Sequence, residues 1–315
     1  MAIKDSRIGW YGLGSMGLPM AMNLQRHLSK TAQNNLTYYN RTIASGKPLQ
    51  DLGAIPATNL LELVDKSNVI FTMLANDRVL TEMVQSIADS SISIASKIFV
   101  DCSTVHPDTT GSVSRTISGL GAIFLSAPVF GGPTIAATGQ LVFAIGGPGP
   151  AAAGIRRYIQ DVMGRKIIEC GEEPKNASLL KIGGNIITLN LMEAVGEAQV
   201  FAEQTRLGTA AMEELITESF GGVAGGYSKR LTSGIYAPPL DTRPGFGVSL
   251  AIKDAKHALS LASDFSVSLP GLEIAHNNMS ASRDYAGECL DSSSMYGTLR
   301  VNAGLPFWNG TSRQG

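Results

Sequence analysis

Along the first half of the chain, apolar and polar positions predict short strands separated by helices. Ile8, Trp10 and Tyr11 fall in a short apolar-rich strand, and Met20, Leu24 and Leu28 follow at helical spacing. Residues 36–42 read as a second strand. Residues 68–74 form a continuous apolar run, the pattern of a strand buried on both faces. A loop at 75–78 and a helix over about 79–88 come next. Residues 97–102 read as another strand, with Pro107 placed to open the following helix. Residues 122–129 and 141–147 continue the series. Strands alternating with helices to about residue 170 predict an α/β fold with a Rossmann-type doubly wound sheet.

The pattern then changes. From Asn176 to about Thr205, Leu179, Ile182, Ile186, Leu189, Val195 and Phe201 recur at helical spacing without a proline. A helix of roughly 30 residues extends about 45 Å. That is long for a helix lying on one sheet, so it is expected to bridge two domains or subunits. Further helical patterns fall at 209–219, 247–264 and 270–287. The expected organisation is a dinucleotide-binding domain over 1–172 and an all-α domain over 173–315, joined through the long helix. Residues 290–315 are rich in Ser, Gly and Asn and receive no assignment.

The turn after the first strand gives this fold a chemistry. Gly12, Leu13, Gly14, Ser15, Met16 and Gly17 form a GxGxxG turn between a strand and a helix. Gly12 makes the tight turn, Gly14 admits a pyrophosphate, and Gly17 lets helix and strand pack closely. The helix start supplies N–H groups and a partial positive charge. A cofactor with a free 2′-hydroxyl usually meets a carboxylate about 20 residues further on. Between Asp5 and Asp51 there is no acidic residue, and the second strand ends in Asn40, Arg41 and Thr42. A guanidinium and a hydroxyl suit a 2′-phosphate, so NADP is favoured and NAD remains possible. A solvated loop arginine is the plainer reading of Arg41.

Composition narrows the class. The net charge is −1 and charged residues make up 16%, which gives no field favouring nucleic acid or an anionic membrane. No run of about 18 apolar residues could span a bilayer. Residues 1–5 lack the apolar core of a leader. Cys102, Cys170 and Cys289 are far apart and make no zinc spacing, so they read as reduced thiols in a cytoplasmic protein.

Lys181 and Asn185 lie four apart, on one face of the long helix, among Leu180, Ile182, Ile186 and Ile187. Partial burial would lower the lysine's pKa and suit it to proton transfer. A lysine snorkelling from a core helix gives the same pattern. Lys253-Asp254 begins a later helix and could equally be a charged surface turn. His27, His106, His257 and His276 make no ligand spacing, and no metal is expected.

Taken together these residues resemble the β-hydroxyacid dehydrogenase family over about 6–285. The resemblance rests on the 12–24 segment, Asp101-Cys102-Ser103-Thr104-Val105-His106-Pro107, Ala127-Pro128-Val129 with Gly131-Gly132, Gly139-Gln140-Leu141, Lys181 with Asn185, and Lys253-Asp254. It implies hydride transfer between NAD(P) and a short 3-hydroxy acid or semialdehyde, in a homodimer or homotetramer built through the long helix. It also implies Lys181 as acid/base and Asn185 as a substrate-positioning residue. Gly131 and Gly132 would hold a substrate carboxylate, with Phe130 beside them. Leu74, Ala75, Val79 and Thr104 would line the nicotinamide side, and Lys253 would approach the cofactor or substrate. Three positions depart from the family pattern: Ser126 replaces an acidic residue, Phe130 a serine and Ala75 a proline. Two rivals share the architecture: an imine reductase, which typically has Asp or Tyr in place of the lysine, and a non-catalytic interaction module.

Overall fold

The computed structural model describes residues 6–315; residues 1–5, read above for a leader, lie outside the described residues. The chain divides into two compact units, Met1–Lys181 and Ile182–Gly315.

The first unit is built on six parallel strands: β1 (Ile8–Tyr11), β2 (Thr37–Tyr39), β3 (Ile55–Pro56), β4 (Val69–Thr72), β5 (Ile98–Asp101) and β6 (Ile123–Ser126). Their order is β3-β2-β1-β4-β5-β6, so the direction of winding reverses between β1 and β4. Ligands in open sheets of this kind bind at that reversal, beyond the carboxyl ends of the strands. Every residue of β4 and β5 is buried, which is why these strands read as unbroken apolar runs. Alternate residues serve opposite faces. Ile8, Trp10, Phe71 and Val100 pack with Met20, Leu24 and Leu28 of the helix Gly17–Lys30. Ile70 and Phe99 pack with Leu80, Val84 and Ile117 of the helices Asp77–Ala88 and Pro107–Gly119.

The strand series does not simply continue beyond β6. Three strands, β7 (Val129–Phe130), β8 (Leu141–Ile145) and β9 (Gly164–Glu169), form a separate sheet. β7 runs antiparallel to β8, and β8 parallel to β9. β9 has no counterpart in the sequence reading, because only Gly164 and Ile167 of its six residues are buried.

The long helix runs Pro174–Gln204, close to its expected bounds. The second unit continues with helices Thr209–Thr232, Val248–Asp264, Pro270–Ala286 and Met295–Asn302. The first of these is two helices that meet at a kink at Gly221, where φ is +83°; the expected 209–219 helix is the part before the kink. Leu189, Met192, Val248, Ile252, Leu272, Met279 and Tyr296 share its core. The unassigned tail is ordered: the Tyr236 hydroxyl donates to the Phe307 carbonyl at 2.7 Å, and the Arg313 guanidinium donates to the carbonyls of Pro238, Ala286 and Cys289. Among the described residues, no helix is long and apolar enough to cross a membrane.

Candidate active site

Strand register places several loops on one edge of the six-stranded sheet. Tyr39, Tyr11, Thr72, Asp101 and Ser126 are successive partners across five strands, each at its strand's carboxyl end. The glycine turn, the 40–42 segment, the 73–76 loop and the 102–106 loop therefore all leave the same edge.

Within the glycine turn, Gly12 has φ +102°, and a Cβ there would meet the Met73 carbonyl oxygen at 2.3 Å. A Cβ on Gly17 would lie 2.0 Å from the Gly12 carbonyl oxygen. Both positions are closed to larger residues. Leu13 N–H donates to Asn40 Oδ1 at 2.9 Å, and the Asn40 amide donates to the Thr42 carbonyl at 2.8 Å. Asn40 thus fastens the turn to the end of β2. Arg41 and Thr42 beside it are exposed. The helix beginning at Gly17 has no acidic residue in its first turn and no side-chain cap at Met16. This donor set fits a dinucleotide phosphate.

The ends of β4 and β5 are locked by Asp101, which sequence reasoning quoted without giving it a task. It is buried, and its Oδ1 accepts from the hydroxyls of Thr72 and Ser103, each at 2.6 Å. Burial pushes its carboxyl above the usual range, and the bonds from Ser103 and Thr72 oppose that rise. Ser103 in turn accepts from Leu74 N–H at 2.8 Å. Leu74, Ala75 and Thr104 are held on this edge, and Val79 N–H is capped by Asn76 at 3.1 Å.

Lys181 closes the first unit. Its Nζ lies over the Phe130 ring, 4.7 Å from the centroid. One turn earlier, Ser178 is buried and shares hydrogen bonds with Thr110 at 2.7 Å and Ser126 at 3.2 Å. These bonds fix the helix start against β6 and the helix Pro107–Gly119. Ser126, which stands where the family has an acid, is therefore engaged in fastening the long helix. Gly131 and Gly132 follow Phe130 at the end of β7.

In the second unit Asn185 is buried, and its side-chain amide donates to Asp254 Oδ2 at 2.7 Å. Lys253 Nζ lies 3.0 Å from Asp254 Oδ1. Asp254 thus gathers Asn185 and Lys253, although the sequence offered it only as part of a charged pair. Further along the helix, Glu193 is buried and accepts from the Asn278 amide. Burial pushes its carboxyl up to about 7, against the bond from Asn278. It was not anticipated: its only signal was an acidic residue on a helix rich in apolar residues.

Comparison with known proteins agrees with this architecture. Residues 7–171 match the NAD binding domain of 6-phosphogluconate dehydrogenase. Residues 176–299 match the NAD-binding domain of NADP-dependent 3-hydroxyisobutyrate dehydrogenase. The NADH-dependent oxidoreductase ucdB of Aspergillus ustus is 32% identical over 295 residues, spanning 93% of this chain and 98% of the relative. The 3-hydroxyisobutyrate dehydrogenase of Pseudomonas aeruginosa is 29% identical over 301 residues, spanning 91% and 96%. In fold, the chain is similar to the Mycobacterium tuberculosis 3-hydroxyisobutyrate dehydrogenase, with a TM-score of 0.76 at 24% identity, over 94% of this chain and all of that one. The chain belongs to the β-hydroxyacid dehydrogenase family. It is an NAD(P)-dependent oxidoreductase.

Proposed function

We propose that the protein is an NADPH-dependent reductase of small carbonyl compounds, with Lys181 as the proton donor. The observation that carries this reading is Lys181 itself: an ammonium on an apolar helix, held over Phe130 in the unit that carries the dinucleotide turn. When bound, the nicotinamide supplies hydride. Gly12, Gly14 and Gly17 admit the pyrophosphate, and Leu74, Ala75, Val79 and Thr104 form the wall beside the nicotinamide. Arg41 and Thr42 meet the 2′-phosphate. Lys181 Nζ gives a proton to the carbonyl oxygen and, in the oxidative direction, takes it back. Asn185, held by Asp254, orients the substrate, and Lys253 contacts cofactor or substrate. Gly131 and Gly132 give backbone N–H groups to the substrate.

A homodimer or homotetramer is proposed on the apolar surface of the second unit, where Ile187 and Phe220 are 71% and 72% exposed. A reducing, cytoplasmic setting is supported by the three unpaired cysteines. An imine reductase is the second reading, weakened by Lys181, and a non-catalytic module the third. A panel of semialdehydes, keto acids, ketones and cyclic imines, each offered with NADPH and with NADH, separates all three. Carbonyl reduction with NADPH is expected; reduction of imines alone, or of nothing, overturns the reading.

A further inference from the structure

Phe130 and Lys181 stand in a relationship that no general feature of the fold demands. The ring belongs to the two-residue strand β7, paired residue for residue with β8: Val129 opposite Phe143 and Phe130 opposite Val142. Val129 turns into the core, which leaves Phe130 half-buried on the other face. The long helix is fixed in rotation by Ser178, three residues before Lys181. The ring is thus anchored by strand pairing and the helix by the Ser178 hydroxyl, and the ammonium rests on the ring face at 4.7 Å. Such a contact stabilises a cation electrostatically, most when water is partly excluded.

The surroundings extend the apolar character. Ile135 and Leu141 crowd Gly131, where an added Cβ would meet them at 2.9 and 2.8 Å. Ile135 is itself 43% exposed. Between Arg115 and Arg156 the sequence carries no charged side chain. A carboxylate brought to this segment sheds hydration and finds no side-chain hydroxyl on Phe130, Gly131 or Gly132, and the cation beside them, Lys181, is already seated on the ring. An apolar ring brought there buries area against Phe130 and Ile135 instead.

We propose that Phe130 fixes the pose of the Lys181 ammonium and sets the substrate class. The site takes neutral carbonyl compounds with an apolar body, such as cyclic ketones and aryl aldehydes, ahead of short anionic semialdehyde acids. The inference rests on the reading of Lys181 as proton donor. Phe130 is a positioning residue toward Lys181 and a selectivity residue toward the substrate.

The test uses the full chain with NADPH. Its neutral probes are cyclohexanone and benzaldehyde, and its anionic probes succinic semialdehyde and glyoxylate. The native protein favours the neutral pair in kcat/KM. Phe130→Ser lowers the neutral-to-anionic ratio by roughly tenfold or more. Phe130→Tyr retains the ratio. Phe130→Leu keeps apolar bulk but lowers kcat, because the ring face is gone. A second readout needs no turnover: with lysine labelled at Cε, the Lys181 signal, identified by its loss in Lys181→Arg, is shifted upfield by the ring in native protein and Phe130→Tyr, and returns in Phe130→Leu. Native preference for the anionic pair, an unmoved ratio in Phe130→Ser, or an unshifted Cε signal overturns the inference. Lys181→Met separates its failure from that of the proposed function. If that variant is inactive while the ratio does not move, only the present inference falls. If it is as active as native, or if native protein reduces neither class, the proton-donor reading falls as well.

Discussion

Asn185 and Asp254 lie 69 positions apart in the sequence and meet through one buried hydrogen bond of 2.7 Å. The same carboxylate ends 3.0 Å from the Lys253 ammonium. One buried acid therefore holds two residues to which the proposed reaction gives tasks. Asp254→Ala strands the Asn185 amide, at about 1–3 kcal/mol for an unsatisfied buried group. Both the thermal midpoint and kcat should fall, kcat by roughly ten- to a hundredfold. Thermal melts and steady-state kinetics on the same preparation check this. A lower melting point with native kcat would make the contact purely structural.

The proposed cofactor choice rests on the exposed Arg41 and Thr42 beside Asn40. No carboxylate between Asp5 and Asp51 is present to bind a ribose hydroxyl or repel a phosphate. NADPH should bind at least tenfold tighter than NADH, about 1.4 kcal/mol. Arg41→Asp should reverse the order. The Aspergillus ustus relative is named as NADH-dependent, so fluorescence titration with both cofactors is decisive. Equal affinities would remove the argument for NADP.

Glu193 makes stability depend on pH. Its carboxyl is raised from 4.5 to about 7 in the folded chain, chiefly by burial. The folded state therefore holds its proton more tightly than the unfolded state. The resulting stability is present in full below pH 4.5 and is lost as pH rises toward 7. The rise from 4.5 to about 7 corresponds to a loss on the order of 3 kcal/mol. Glu193→Gln keeps the shape and cannot ionise. Urea unfolding should find it more stable than native protein at pH 8 and little different at pH 4.5. An equal difference at both values would show that ionisation plays no part.

What could be read from the sequence follows from how local each feature is. The 12–17 turn was legible because strand, glycines and helix are contiguous, and β4 and β5 because burial on both faces leaves unbroken apolar runs. β9 was not legible, since Arg165, Lys166, Ile168 and Glu169 are exposed and only its pairing with β8 makes it a strand. The tail failed for a related reason. Ser292, Ser293 and Ser294 look like loop residues, yet all are buried, and Ser293 donates both its N–H and its hydroxyl to Asp291. At the candidate site, Lys181 and Asn185 were visible as a spacing on one helix. Their partners Phe130 and Asp254, and the Thr110 and Ser126 hydroxyls that fasten the same helix at Ser178, come from distant parts of the chain, and no periodicity encodes such pairings.

The central claim is that the Lys181 amine moves the proton. Lys181→Met keeps the apolar stem and removes the charge, whereas Lys181→Ala removes both. The proposed phosphate site is the 12–17 turn, so both variants should bind NADPH nearly as native protein does. Both should lose kcat by about 10²–10⁴-fold, the usual contribution of a positioned acid. The measurement is kcat for the carbonyl compound that native protein reduces fastest, beside the NADPH dissociation constant. Equal inactivity with intact cofactor binding is the predicted result. Native kcat in Lys181→Met would contradict it.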